Sequence, residues 1–150
     1  MITGIGHVAF RVTNLQRALD FYCRKLGFDE AFRLEREGEP SPWIVYIQIA
    51  PGSFIELFPD SQDAPGTLPA RDPGASYKHV CLLVDDMAAT LHELEARGLE
   101  ITGSPIEGLD ANWQYWLYDP DGNPIELMQI MPLSPQAAAD ERKRGSILNP

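Results

Sequence analysis

A Gly-x-x-Ile-Glu-Leu segment occurs twice in this chain, as Gly52-Ser53-Phe54-Ile55-Glu56-Leu57 and as Gly122-Asn123-Pro124-Ile125-Glu126-Leu127. In each copy the glycine marks a turn, and strand alternation sends Ile and Leu to one face and Glu to the other. A carboxylate on an otherwise apolar strand needs a partner. Two histidines open apolar strands in the same pairwise fashion, His7 in His7-Val8-Ala9-Phe10-Arg11-Val12 and His79 in His79-Val80-Cys81-Leu82-Leu83-Val84. His79 lies 72 residues after His7, Gly98 71 after Gly27 and Glu126 70 after Glu56. The register holds within two residues across the half, so duplication is the simplest explanation and the fold must have two like halves.

Taken in order, the first half predicts a strand over 5–12, with Val8, Phe10 and Val12 on one face and His7, Ala9 and Arg11 on the other. Asn14 is a helix N-cap, Leu15, Ala18, Leu19, Tyr22 and Leu26 follow at helical spacing, and Gly27 is the stop. Strands are predicted over 28–34, 43–49 and 54–58. The second half repeats this: a strand over 79–84, a helix capped by Asp85 or Asp86 and ended by Gly98, and strands near 99–102, 112–118 and 124–130. The fold class is α+β, two βαβββ modules forming a curved mixed sheet whose concave face collects the polar members of each strand. A single domain is expected, with module one at 5–59, a Pro- and Gly-rich linker at 60–76, module two at 77–131 and a helix-prone C-terminal tail at 132–150. That tail has few apolar anchors, which suits a surface helix or a piece that packs on a partner subunit.

Composition narrows the function. A formal charge of -10 argues against a surface that tracks nucleic-acid phosphates. No apolar run approaches the ~18 residues of a membrane span, and no leader-like segment opens the chain. A soluble, cytoplasmic protein is expected, in which Cys23 and Cys81 are buried thiols, not a disulfide. His92, mid-helix beside Glu93 and Glu95, is expected on the solvated surface.

On equivalent strands of a duplicated unit, His7, Glu56, His79 and Glu126 form a mixed nitrogen and oxygen donor set. It suits one borderline divalent ion, Ni, Zn, Co, Mn or Fe, better than the all-oxygen cage of Ca or Mg. Four protein donors can close a tetrahedral structural site; on an octahedral ion they leave positions for water or substrate.

The paired modules with this quartet, the run Leu15-Gln16-Arg17-Ala18-Leu19-Asp20-Phe21-Tyr22, and the ending Asp119-Pro120-Asp121-Gly122-Asn123-Pro124-Ile125-Glu126-Leu127 resemble the vicinal oxygen chelate superfamily, the glyoxalase and bleomycin-resistance fold. The resemblance covers residues 5–130, and the complete quartet is similar to bacterial glyoxalase I. It implies a metal-dependent lyase or isomerase of the glyoxalase I type, with proton transfer through a metal-bound enediolate on a small carbonyl compound or its thiol adduct. Glu56 or Glu126 would be the base, and a homodimer often completes the site. Epimerases of the superfamily resemble a pattern with Gln at the second ligand. Extradiol dioxygenases and fosfomycin-modifying enzymes resemble one with two His and a single Glu. By the same resemblance, Arg11 would bind substrate at a glutathione carboxylate. Asp60 stands where glyoxalase I has Asn, a poor neighbour for an anionic substrate. Trp113, Tyr115 and Trp116 place at least one aromatic ring on the functional face whichever way the strand is turned. The alternatives are a non-catalytic small-molecule binding protein of the bleomycin-resistance type, and an iron-dependent oxygenase of the same fold.

Overall fold

The computed structural model describes residues 2, 4–39, 41–60 and 77–148, so the expected linker lies, apart from Asp60, outside the described residues. The elements are β1 (His7–Val12), α1 (Leu15–Leu19), β2 (Asp29–Leu34), β3 (Ile44–Ala50), β4 (Ser53–Pro59), β5 (Val80–Leu83), α2 (Met87–Ala96), β6 (Ile106–Glu107), β7 (Trp113–Tyr118), β8 (Pro124–Gln129) and α3 (Pro135–Leu148). The expected βαβββ order therefore appears twice. Each module builds its own four-stranded mixed sheet, ordered β1-β4-β3-β2 and β5-β8-β7-β6. In both, the first strand runs parallel to the last, and the remaining pairs are antiparallel. Packing divides the chain into two compact units, Met1–Lys78 with Asp119–Asn123, and His79–Tyr118 with Pro124–Pro150.

In the first unit, alternation along β1 buries Phe10 and Val12 and exposes His7, Ala9 and Arg11. Val45, Ile47, Ile55 and Leu57 are fully buried, each contributing about 1.5–3 kcal/mol by leaving water. Asn14 caps α1 as expected, its Oδ1 accepting from the Arg17 N–H at 2.9 Å. The helix then widens into a π-helical turn over Asp20–Lys25, with Leu26 N–H donating to the Phe21 carbonyl at 2.9 Å and Phe28 N–H to that of Tyr22 at 3.1 Å. This turn buries the adjacent Phe21 and Tyr22 together, and Gly27 at φ 80° ends it.

In the second unit, α2 starts at its cap Asp86, whose Oδ1 accepts from Ala89 N–H at 2.9 Å. The helix buries Met87, Leu91 and Leu94 and lies against β7 and β8. His92 is exposed, as expected. The strand predicted near 99–102 is absent. A two-residue ladder forms later, at Ile106–Glu107, because the Tyr115 hydroxyl accepts from Thr102 N–H at 2.9 Å and lies 3.1 Å from the Thr102 carbonyl. A side chain thus occupies the backbone groups that a strand would use. Buried Ser134 caps the C-terminal helix, its Oγ accepting from Ala137 N–H at 3.1 Å. Gln136 is held by Asp110 and Asn112. Among the described residues no helix is long and apolar enough to cross a membrane.

Candidate functional site

Each sheet presents one histidine and one glutamate on a shared face. In the first, Glu56 is paired across β1 with Ala9, two residues beyond His7, so strand periodicity brings imidazole and carboxylate together diagonally. His7 Nε2 lies 3.5 Å from Glu56 Oε2. The second sheet repeats this: Glu126 is paired with Cys81, two residues beyond His79, and His79 Nε2 lies 3.0 Å from Glu126 Oε2. Both glutamates are buried, at 6% and 4% exposure, between core residues Ile55 and Leu57 or Ile125 and Leu127. The two histidine side chains remain open to solvent, at 52% and 34%. Of the four residues singled out from the sequence, the structure joins His7 with Glu56 and His79 with Glu126. Within each unit, among the described residues, no third His, Cys, Asp or Glu completes a metal-holding group.

The donor chemistry fits a borderline divalent ion. Imidazole nitrogen and carboxylate oxygen are its usual ligands, and two donors on adjacent positions with bonds near 2.1 Å stand about 3.0 Å apart. The same separation suits an imidazole hydrogen bond to a carboxylate.

Each carboxylate has a further neighbour across its ladder. Tyr46 is opposite Glu56 and Trp116 is opposite Glu126. The Tyr46 hydroxyl donates to the Glu56 carboxylate, and this hydrogen bond, with some desolvation and the charge itself, raises the phenol pKa above its ordinary value. Trp116 meets His79 edge-to-face at 4.8 Å between ring centroids. Cys81 donates its thiol to Glu126; desolvation first, and the carboxylate second, push its pKa up to about 12. Both cysteines are free, but Cys81 is exposed and Cys23 half-buried, which corrects the expectation of two buried thiols. Cys81 belongs to the face that carries His79, not to the core face of its strand.

Trp113, Tyr115 and Trp116, singled out from the sequence, now separate along β7. Tyr115 is buried and Trp113 shares its parity, whereas Trp116 stands beside His79. Tyr46 and Cys81 were not singled out from the sequence. Tyr46 precedes Trp116 by 70 residues, the spacing that separates Glu56 from Glu126, and that repeat was the available signal.

Arg11 lies on the His7 face, but its guanidinium Nε is bound by the Asp60 carboxylate. That hydrogen bond and charge raise the Arg11 pKa. Asp60 is thus the partner of Arg11 as well as a departure from the glyoxalase I pattern.

Two mixed sheets of βαβββ topology, each carrying a His–Glu pair, define a duplicated α+β fold with metal-type donors. The sequence pattern of the Glyoxalase/Bleomycin resistance protein/Dioxygenase superfamily matches residues 4–127, and the chain belongs to that superfamily. A lactoylglutathione lyase of Escherichia coli O157:H7 is 29% identical over 131 residues, covering 82% of this chain and 90% of that protein. A catechol-2,3-dioxygenase of Bacillus subtilis (strain 168) is 28% identical over 134 residues, covering 88% of this chain; the chain spans only 43% of the dioxygenase. Among solved structures, a glyoxalase family protein from Enterococcus faecalis superimposes with a TM-score of 0.68 at 26% identity, covering 83% of this chain and 96% of that one.

Proposed function

We propose that the protein is a metal-dependent lyase or isomerase of the glyoxalase I type, acting on a small carbonyl compound or its thiol adduct. The proposed ligands are His7, Glu56, His79 and Glu126, the set being completed within one chain or across a homodimer. The observation that carries this reading is the pair of buried glutamates, each set against an open imidazole nitrogen at 3.5 and 3.0 Å. Burying two carboxylates costs several kcal/mol each unless they are compensated. Among the described residues the Tyr46 hydroxyl engages Glu56 and the Cys81 thiol engages Glu126, and the facing imidazoles are themselves metal-type donors, so each carboxylate keeps lone pairs for a cation.

A bound divalent ion would act as a Lewis acid on the substrate oxygens. The chain's own groups supply the rest. Glu56 or Glu126 accepts the proton from the carbon beside the carbonyl and returns it to the neighbouring carbon, so the substrate is isomerised without net oxidation. Tyr46 orients the Glu56 carboxylate by donating to it. His7 and His79 offer Nε2 as donors, and their exposure leaves the face open to a small molecule.

Elemental mass spectrometry on protein purified without chelator tests the reading. The expected result is about one Ni, Zn, Co, Mn or Fe per chain, lost in Glu126→Ala. Absence of metal even after reloading would overturn it and favour a non-catalytic binding protein. Glu56→Gln separates these classes further: turnover falls by orders of magnitude in an isomerase, whereas a sequestering module keeps its ligand affinity. The similarity to a catechol-2,3-dioxygenase supports an oxygenase as the second reading, for which oxygen uptake with a catechol is the diagnostic.

A further inference from the structure

The second sheet carries a cavity on the side turned away from His79 and Glu126. Trp113 shares the parity of buried Tyr115 and Leu117. Gln129, its partner across the β7–β8 ladder, shares that of buried Ile125 and Leu127. Alternation therefore sends Trp113 and Gln129 to the face opposite the His–Glu pair. The helix α2 starts at this end of the sheet, where Met87 N–H donates to Gln129 Oε1 at 2.8 Å. It leaves the Trp113 indole 38% exposed. A cavity of about 320 Å³ results, lined by Asp86, Met87, Ala88, Pro105, Trp113 and Gln129. That is enough for a small organic molecule.

The lining is apolar except at Asp86 and Gln129, and it includes no cation. The Gln129 carbonyl oxygen is already engaged by Met87. One Asp86 oxygen caps α2, accepting from Ala89 N–H at 2.9 Å; the other has no partner among the described residues. On the other side of Trp113, across the β6–β7 ladder, stands Glu107, so a second carboxylate flanks the indole on the same face. Glu107 forms no ion pair among the described residues either. An anion would meet two carboxylates here, and a neutral ligand would leave Asp86 without a counter-charge. A protonated amine satisfies both features, since an indole face attracts a cation and a carboxylate oxygen accepts a charge-assisted hydrogen bond.

We propose that this cavity is a binding site for a small primary ammonium compound with an apolar body, held by Trp113 and Asp86 and separate from the His–Glu face. Helix capping alone does not call for the charge, because Asn caps as well as Asp.

The test is an NMR titration of the indole N–H signals of the full chain with phenethylammonium and with its neutral counterpart phenethyl alcohol, without and with chelator. The Trp113 signal is assigned by its loss in Trp113→Phe. Wild-type protein is expected to bind the amine about tenfold more tightly than the alcohol, with the Trp113 signal moving and chelator without effect. Asp86→Asn, which keeps the cap, is expected to bring that ratio to within about twofold of unity with alcohol affinity and melting temperature unchanged. Trp113→Leu is expected to weaken amine binding about tenfold. A ratio near unity in the wild type, a ratio that survives Asp86→Asn, or an amine that moves the Trp43 or Trp116 indole in place of Trp113 would overturn the site. So would a preference that disappears with chelator, which would place the amine at a bound metal.

Discussion

Tyr22 donates its hydroxyl to Asp119 Oδ2 at 2.9 Å, joining residues 97 positions apart in sequence. The other Asp119 oxygen accepts from the backbone N–H groups of Asp121 and Asn123 at 3.0 and 2.8 Å, and Asn123 Nδ2 donates to Oδ2 at 2.9 Å. Burial first, and the carboxylate second, keep the Tyr22 phenol protonated far above its ordinary range. Asp119 is 4% exposed, so its removal orphans several buried donors. Asp119→Ala should cost about 2–4 kcal/mol and Tyr22→Phe about 1 kcal/mol, ranked by denaturant midpoints. Equal midpoints for the two variants would show that the turn does not depend on this carboxylate.

The Asp110 carboxylate accepts from Gln136 Nε2 and Asn112 Nδ2, each at 2.8 Å, and these two hydrogen bonds lower its pKa. A lowered folded-state value means that the contribution is present above the unfolded-state pKa and is lost as pH falls through the folded one. Asp110→Asn should therefore melt below the wild type at neutral pH, with the gap closing below about pH 4. Thermal melts of both proteins from neutral to acid pH check this; a gap independent of pH would contradict it.

Asp60→Asn should release Arg11 from its ion pair. The freed guanidinium is expected to raise affinity for S-methylglutathione about tenfold, an effect that weakens with added salt. Calorimetry at two ionic strengths measures it, and an unchanged affinity would mean that Arg11 does not face the ligand.

Tyr46→Phe removes the hydroxyl that Glu56 accepts. If Glu56 binds metal, affinity should drop about 10–100-fold with stoichiometry preserved at saturation. Competition with a chromophoric chelator reports both quantities, and an unaltered affinity would separate Tyr46 from the metal ligand.

Much of this architecture was legible because duplication made weak signals repeat. His7 and Glu56 say little alone, but their recurrence at His79 and Glu126 marked the face, and the structure brings the members of each pair together. The Asn14 cap and the parity of β1 followed from local chemistry. Tyr46 was hidden because the β3–β4 register shifts between Gln48 and Ala50, so counting back from the Gly52 turn gives the wrong partner. The missing strand at 99–102 had strand-like residues, but the Tyr115 hydroxyl, from 13 positions away, claims its backbone. The π-helical turn after Leu19 carries no local signature, since joint burial of Phe21 and Tyr22 is a tertiary demand.

The turn at Asp119–Asn123 belongs by packing to the first unit. There Asp121 accepts from the Thr13 hydroxyl, and the Pro120 carbonyl takes Arg17 Nη2 at 3.0 Å. The two repeats are therefore not interchangeable halves. A fragment ending at Lys78 would carry the first sheet and its His–Glu pair, yet lack the acceptors for Thr13, Arg17 and Tyr22. Adding the remainder as a separate polypeptide would restore that brace only on reassembly, which makes the corner around Thr13 a reporter of whether two severed pieces have rejoined.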